Sequence, residues 1–198
     1  TELDSDKDMN NLLEQIKLRL HPMDVIRTIV SYIGESEKKS DLEATTQISA
    51  AVAYVIASYN ESKSSKLDNK YTVASSMLSD DASTDQLQAL DDILILYAEH
   101  GFNASTFATR VTGSTRSDLT SSIVSGIGTL KGELHGGANE RAVELINSFQ
   151  DVEDAATGVM KMLDEKKKIM GFGHGVYKIQ DPRSPVVKNW VEKLISDD

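Results

Sequence analysis

The sequence predicts an all-α protein. Apolar residues recur at helical spacing in one segment after another, with polar capping residues between them. Only three prolines interrupt 198 residues, and the strand-like stretches, "KYTVASSML" and "KIMGFGHGVYK", are short. No internal repeat or low-complexity tract complicates the pattern.

In "MNNLLEQIKLRL", Leu12, Leu13, Ile16, Leu18 and Leu20 can gather mainly on one side of a first helix. "HPMDVIRTIVSYIG" predicts a second, with Pro22 accepted in its first turn and Gly34 as its stop. "DLEATTQISAAVAYVIASYN", capped by Asp41, is apolar enough for an interior helix. "ESKSSKLDNK" is polar and aperiodic, as an exposed loop would be. "STDQLQALDDILILYAEH" has Ser83 or Thr84 as cap and Leu87, Leu90, Ile93, Leu94 and Tyr97 on a broad face. "SDLTSSIVSGIGTL" begins at Ser117 or Asp118, and its small central residues let a neighbouring backbone approach closely. "NERAVELINSF" and "VEDAATGVMKMLDEKKK" complete the series as amphipathic helices.

Composition narrows the function classes. A net charge of −10 and the acidic balance behind it oppose a general nucleic-acid partner, because phosphate binding needs a positive field. An anionic ligand must then be met by a local basic site. The absence of cysteine removes disulfides and thiolate metal sites. No apolar run approaches the roughly 18 residues of a membrane span, and "TELDSDKDMNNLLEQ" lacks the basic start and apolar stretch of a signal peptide. These features predict a soluble, cytoplasmic protein with no membrane partner.

Chemistry is best sought at four histidines, His21, His100, His135 and His174. His21 precedes Pro22 at a helix start and reads as structural. His100 closes a helix before Gly101, where the macrodipole favours an imidazolium, so capping and function are both open. Asn103 and Ser105 beside it add groups that could orient a ring. His135 precedes Gly136 and Gly137 just before a helix start near Asn139; glycines allow close backbone approach and leave N–H groups for a ligand oxygen. A plain turn histidine between helices is the alternative. His174 stands in "KKKIMGFGHGVYKIQDPR", a glycine loop with Lys178 and Arg183 downstream and a turn fixed by Pro182. It matches a dinucleotide loop only weakly, because no βαβ unit accompanies it. A glycine backbone lying against a flat ligand, with imidazole and cations serving its polar atoms, suits the composition better than an exposed basic turn. No i, i+4 histidine pair or neighbouring carboxylate motif supports zinc, so no metal is expected.

Three stretches, "AEHGFNASTFATR", "LKGELHGGANERAVELI" and "IMGFGHGVYKIQDPRS", occur in this order and spacing in the citrate synthase family, which the chain resembles from about residue 20 onward. "HPMDVIRTIVSYIG" and "STRSDLTSSIVSGIGTLKG" are similar to two further helices of that family. Tyr97, Phe102 and the "DPRSPVVKNWVEKL" ending incline the resemblance toward the 2-methylcitrate synthases within it.

The resemblance implies a two-domain helical fold, with residues 1–134 forming part of a large domain and 135–198 the first part of a small one, in a homodimer. It implies a metal-free condensation of acetyl-CoA or propionyl-CoA with oxaloacetate followed by thioester hydrolysis. No permanently bound cofactor is expected, the acyl-CoA being a co-substrate. His135 would hydrogen-bond the thioester oxygen as the enolate forms, and His174 would polarise the oxaloacetate ketone. His100 and Arg183 would hold oxaloacetate carboxylates, with Asn103 and Ser105 in support. Met170, Gly171, Phe172 and Gly173 would lie against the CoA adenine, and Lys178 would meet a CoA phosphate.

Departures from the family accompany these expectations. The family's aspartate base lies downstream of the "DPR" turn in a segment this sequence lacks, an N-terminal segment is also missing, and Gly175 stands where a larger residue is usual. They raise one alternative, a truncated, non-catalytic helical module that keeps ligand contacts or a dimer surface.

Overall fold

Helix formation follows local capping chemistry closely, and nearly every helix can be traced to the residue that starts it. The computed structural model of the chain describes residues 6–34, 40–60, 72–98, 102–173 and 177–196. Among the described residues there are ten α-helices and no strand: α1 (Lys7–Ile16), α2 (Pro22–Ile33), α3 (Asp41–Ala57), α4 (Val73–Met77), α5 (Thr84–Ala98), α6 (Ala104–Ser114), α7 (Leu119–Leu130), α8 (Gly137–Asn147), α9 (Val152–Asp164) and α10 (Ser184–Ser196). The all-α class is therefore the observed one. No helix among them is long and apolar enough to cross a membrane.

The caps explain where these helices begin. Asp6 accepts from the Met9 N–H at 2.9 Å to start α1. His21 Nδ1 accepts from the Met23 N–H at 3.1 Å, so this histidine is a cap for α2. The cap of α3 is Ser40 rather than the expected Asp41: Ser40 and Glu43 form a reciprocal capping box. Ser83 and Gln86 do the same before α5, and Asp151 caps α9. α2 ends on Gly34, whose φ of 47° disfavours residues with a side chain.

Elsewhere the periodicity misleads. α1 stops at Ile16, so Leu18 and Leu20 leave the apolar face expected for them, and Leu18 is 86% exposed. "TVASSM" forms the short helix α4, because Thr72 accepts from the Ser75 N–H and nucleates a turn. The second strand-like stretch, at 168–173, is turn and coil up to the last described residue of that segment. The helices α4, α6 and α10 are additions to the elements read from periodicity. The loop expected over 61–70 lies outside the described residues.

The chain divides into two compact units, Thr1–Gly128 with Arg183–Asp198, and Thr129–Pro182. They are drawn differently from the 1–134 and 135–198 parts expected above. The last helix joins the first unit because Trp190 and Lys193 bond to Asp92 and Asp85 of α5.

The core of the first unit is shared by α1, α2 and α3: Met9, Leu13, Val25, Ile29, Val30, Ile33, Ile48, Ala51 and Val55 are buried together. Leu119, Ile123, Val124 and Ile127 of α7 pack against it. Each fully buried large aliphatic contributes about 1.5–3 kcal/mol, which makes this cluster the main stabiliser of the unit. A cavity of about 340 Å³ lined by Ile48, Val52, Val73, Met77 and Ile123 lies between α3, α4 and α7, and none of the predicted site residues lines it. α7 and α6 approach closely at Gly126, where an added Cβ would collide with the Thr109 hydroxyl. The small residues of α7 thus do what the sequence suggests.

In the second unit, Gly158 of α9 lies under the Phe149 ring; a Cβ there would sit 2.5 Å from Phe149 Cε1. α8 and α9 bury no side chain fully, and Ile146 and Met160 are largely exposed.

Two outcomes follow for stability. Replacing Gly126→Val should cost about 1–3 kcal/mol by overpacking the α6–α7 contact, read as a lower thermal midpoint; an unchanged midpoint contradicts the close approach. Asp118 caps α7 by accepting from the Ser121 hydroxyl and N–H, each at 2.7 Å. These bonds, the side-chain one foremost, hold its carboxyl below the usual range. Because the folded value is the lower one, the cap stabilises fully above the ordinary value near about 4 and loses its effect as pH falls through the folded value. Asp118→Ala should therefore cost about 1 kcal/mol at neutral pH and progressively less in acid, whereas an equal loss at pH 7 and pH 3 contradicts it.

Candidate active site

The turn between α7 and α8 is built by glycine, and it presents His135. The His135 N–H donates to the Gly132 carbonyl at 2.9 Å, and the Gly137 N–H donates to the same oxygen at 3.1 Å. Two donors on one carbonyl draw residues 132–137 into a tight knot. Only glycine fits at its centre: a Cβ on Gly136 would lie 2.5 Å from the Leu130 carbonyl oxygen and 2.9 Å from Leu130 Cδ1. A Cβ on Gly137 would lie 3.0 Å from the Gly132 oxygen.

The two glycines therefore serve packing, and the Gly137 N–H is spent inside the turn rather than kept for a ligand oxygen, a correction to the sequence reading. Helix α8 starts at Gly137, two residues before the expected Asn139, with no side-chain cap bond from Gly136. The His135 side chain is half-buried at the helix mouth, and its carbonyl accepts from Ala138 at 3.1 Å. A rigid backbone beneath a partly exposed imidazole suits a group that must aim a hydrogen bond.

The glycine loop lies in the same unit. Gly171 and Gly173 have φ of 90° and 83°, which residues with a side chain rarely adopt. A Cβ on Gly171 would come within 3.2 Å of Ala142 Cβ, so the loop lies directly on α8. Met170 is half-buried, while Gly171, Gly173 and Lys178 are exposed and Phe172 is 80% exposed. An uncovered glycine backbone of this kind can accept a flat group. His174 lies outside the described residues, as does His100.

In the first unit, Asn103 is the N-cap of α6. Its Oδ1 accepts from the Thr106 N–H at 2.9 Å and from the Ser105 hydroxyl at 2.7 Å. Asn103 and Ser105 are thus brought together, and a cap is a role they fill whatever else they do. Arg183 sits immediately before α10, half-buried, and its carbonyl accepts from the Val186 and Val187 N–H groups at 3.1 Å each. Its guanidinium carbon lies 5.0 Å from the centroid of the Tyr97 ring. The sequence marks Tyr97 only as a helix-face residue and a feature of the methylcitrate branch; its contact with Arg183 emerges from the fold. Sequence separation hides this contact. Among the described residues no group of three or more His, Asp or Glu could hold a metal ion.

Comparison with known proteins places these features in a family. A family model described as the citrate synthase C-terminal domain matches residues 2–198. The chain is 40% identical over 211 residues to a 2-methylcitrate synthase from Shewanella oneidensis, covering 96% of this chain and 54% of that protein. It is 35% identical over 190 residues to a citrate synthase from Deinococcus radiodurans, covering 88% and 50%. The crystal structure of citrate synthase from Thermotoga maritima matches with a TM-score of 0.73 at 30% identity, over 97% of this chain and 54% of that one. The ternary complex of carboxymethyl coenzyme A and oxaloacetate with the citrate synthase of Thermoplasma acidophilum matches with a TM-score of 0.75 at 28% identity, again over 97% and 54%. The chain spans about half the length of the curated relatives it matches. With its helical fold, its three motifs and a family model matching nearly its whole length, the chain belongs to the citrate synthase family.

Proposed function

We propose that the protein carrying this chain condenses an acyl-CoA with oxaloacetate and hydrolyses the resulting thioester, as a 2-methylcitrate synthase in preference to a citrate synthase. The observation that carries the reading is the His135 turn, a half-buried imidazole on a knot that only glycine can build. The preference for the methylcitrate reaction is supported by relatives of that name at 37–40% identity.

In the proposed reaction the acyl α-carbon gives up a proton to the aspartate base that the family resemblance implies for the full-length protein, and His135 stabilises the negative charge arriving on the thioester oxygen by donating a hydrogen bond. The enolate carbon then attacks the ketone carbon of oxaloacetate, forming the carbon–carbon bond while the ketone oxygen takes up a proton with help from His174. Water cleaves the thioester and releases CoA. Arg183 and His100 hold the oxaloacetate carboxylates, the arginine through its planar fork of donors. Asn103 and Ser105 stiffen the segment after His100. Met170, Gly171, Phe172 and Gly173 offer the CoA adenine an exposed backbone, and Lys178 a charge for a phosphate. These cations supply locally the positive field that a chain of net charge −10 otherwise lacks. The reaction needs no metal and no bound cofactor, and the protein works as a cytoplasmic homodimer.

Oxaloacetate-dependent release of CoA tests the reading on the full-length protein. Release should occur with propionyl-CoA and, about tenfold less efficiently, with acetyl-CoA, the difference one methylene supports in an apolar pocket. No release with either sinks the proposal, and a preference for acetyl-CoA sinks its methylcitrate half. His135→Ala should lower kcat by about 10²–10³, the usual cost of removing one donor aimed at developing charge, and parental turnover would refute its role.

A further inference from the structure

Arg183 occupies a position that helix electrostatics does not favour. It stands where a cap belongs, at the N-terminus of α10, and such positions prefer small side chains that accept hydrogen bonds. The partial positive charge of a helix N-terminus also repels a cation. Something else must hold the guanidinium in place, and the fold supplies it from α5.

Three contacts join the two helices. Arg183 lies over the Tyr97 ring at 5.0 Å. Trp190 Nε1 donates to Asp92 Oδ2 at 2.8 Å, while the other oxygen of that carboxylate accepts from Gln88 Nε2 at 2.9 Å. Lys193 pairs with Asp85 at 2.8 Å and lies 5.0 Å from the Trp190 ring. As the number rises along α10 from 183 to 193, its partner on α5 falls from 97 to 85, so the helices run antiparallel. Tyr97 is in the last turn of α5, where the helix dipole presents its negative end.

We infer that α5 and α10 form an antiparallel strap that sets the plane of the Arg183 guanidinium, with Tyr97 and Trp190 as positioning residues for carboxylate recognition. This rests on the proposed role of Arg183 toward oxaloacetate. Stacking engages the face of a guanidinium, whereas a carboxylate is met through donors in its plane, so the two contacts use different parts of the group. The ring therefore fixes the direction of the fork without competing for the ligand. Trp190 and Lys193 hold α10 to α5, and this keeps Arg183, the residue just before the helix, beside the ring. The helix N-terminus, unfavourable to the arginine alone, adds attraction once an anion is bound.

The test measures oxaloacetate binding to the full-length enzyme by calorimetry without acyl-CoA, with steady-state kinetics beside it. Tyr97→Leu should weaken oxaloacetate binding about two- to fivefold, the range an exposed cation–π contact supports. Tyr97→Phe keeps the ring face and should bind as the parent does. Trp190→Phe removes the indole donor, keeps the bulk, and should shift binding in the same direction as Tyr97→Leu. Parental oxaloacetate affinity in Tyr97→Leu overturns the inference, as does an equal loss in Tyr97→Phe or a defect confined to the KM for acyl-CoA. A parent that neither binds oxaloacetate nor releases CoA refutes the functional reading itself. A parent that does both, with Tyr97→Leu unchanged, refutes the strap alone.

Discussion

The Gly132 carbonyl receives two N–H groups, and the placement of His135 depends on that arrangement. Such a knot needs backbone where side chains would normally stand. Gly136 meets this need against Leu130, and Gly137 against residues 131 and 132. The cost is the conformational freedom that glycine loses on folding, roughly 0.5–1 kcal/mol at each position relative to alanine. The gain is a histidine whose backbone is tied down on both sides at a helix start. Charge that develops during a reaction is stabilised best by donors that need no rearrangement. The knot fixes the backbone from which the His135 ring projects.

The rest of the chain works as a frame for side chains of this kind. α1, α2 and α3 contribute the buried aliphatic cluster, and α7 packs on it through Leu119, Ile123, Val124 and Ile127 before running on to the His135 turn. In the first unit, α10 is attached to α5 by the Trp190–Asp92, Lys193–Asp85 and Arg183–Tyr97 contacts. Contacts of this type are weak singly, about 0.2–1 kcal/mol for an exposed ion pair, but they specify register. Register is what an arginine at a helix terminus requires.

Much of this was legible in the sequence. Helical periodicity and the scarcity of prolines pointed to the all-α class, and the small residues of α7 pointed to the approach that Gly126 makes to Thr109. What failed did so for identifiable reasons. Leu18 and Leu20 extend an apolar pattern past Ile16, but spacing alone does not say where a helix stops. α4 was hidden because "KYTVASS" is rich in β-branched and aromatic residues, a preference that the Thr72 cap overrides. The cap of α3 moved by one residue because Ser40 has Glu43 three positions on, a signal that was present and outweighed by Asp41.

At the site, the glycines beside His135 were legible as unusual but not as packing residues, because their neighbours at 130–132 are revealed only by the turn. The pairing of Tyr97 with Arg183 spans 86 positions and has no local signature at all. The roles given to His100 and His174 rest on motif likeness, since both lie outside the described residues.

In the proposed reaction the glycine knot acts by fixing the backbone that carries His135. Gly136→Ala tests it most directly, because the added methyl would fall 2.5 Å from the Leu130 carbonyl and must displace the turn. The expected result is full-length protein that keeps its helical signal and a cooperative thermal transition, yet loses about a hundredfold in oxaloacetate-dependent CoA release, the scale set by a misplacement of about 1 Å. Parental turnover in that variant would contradict it.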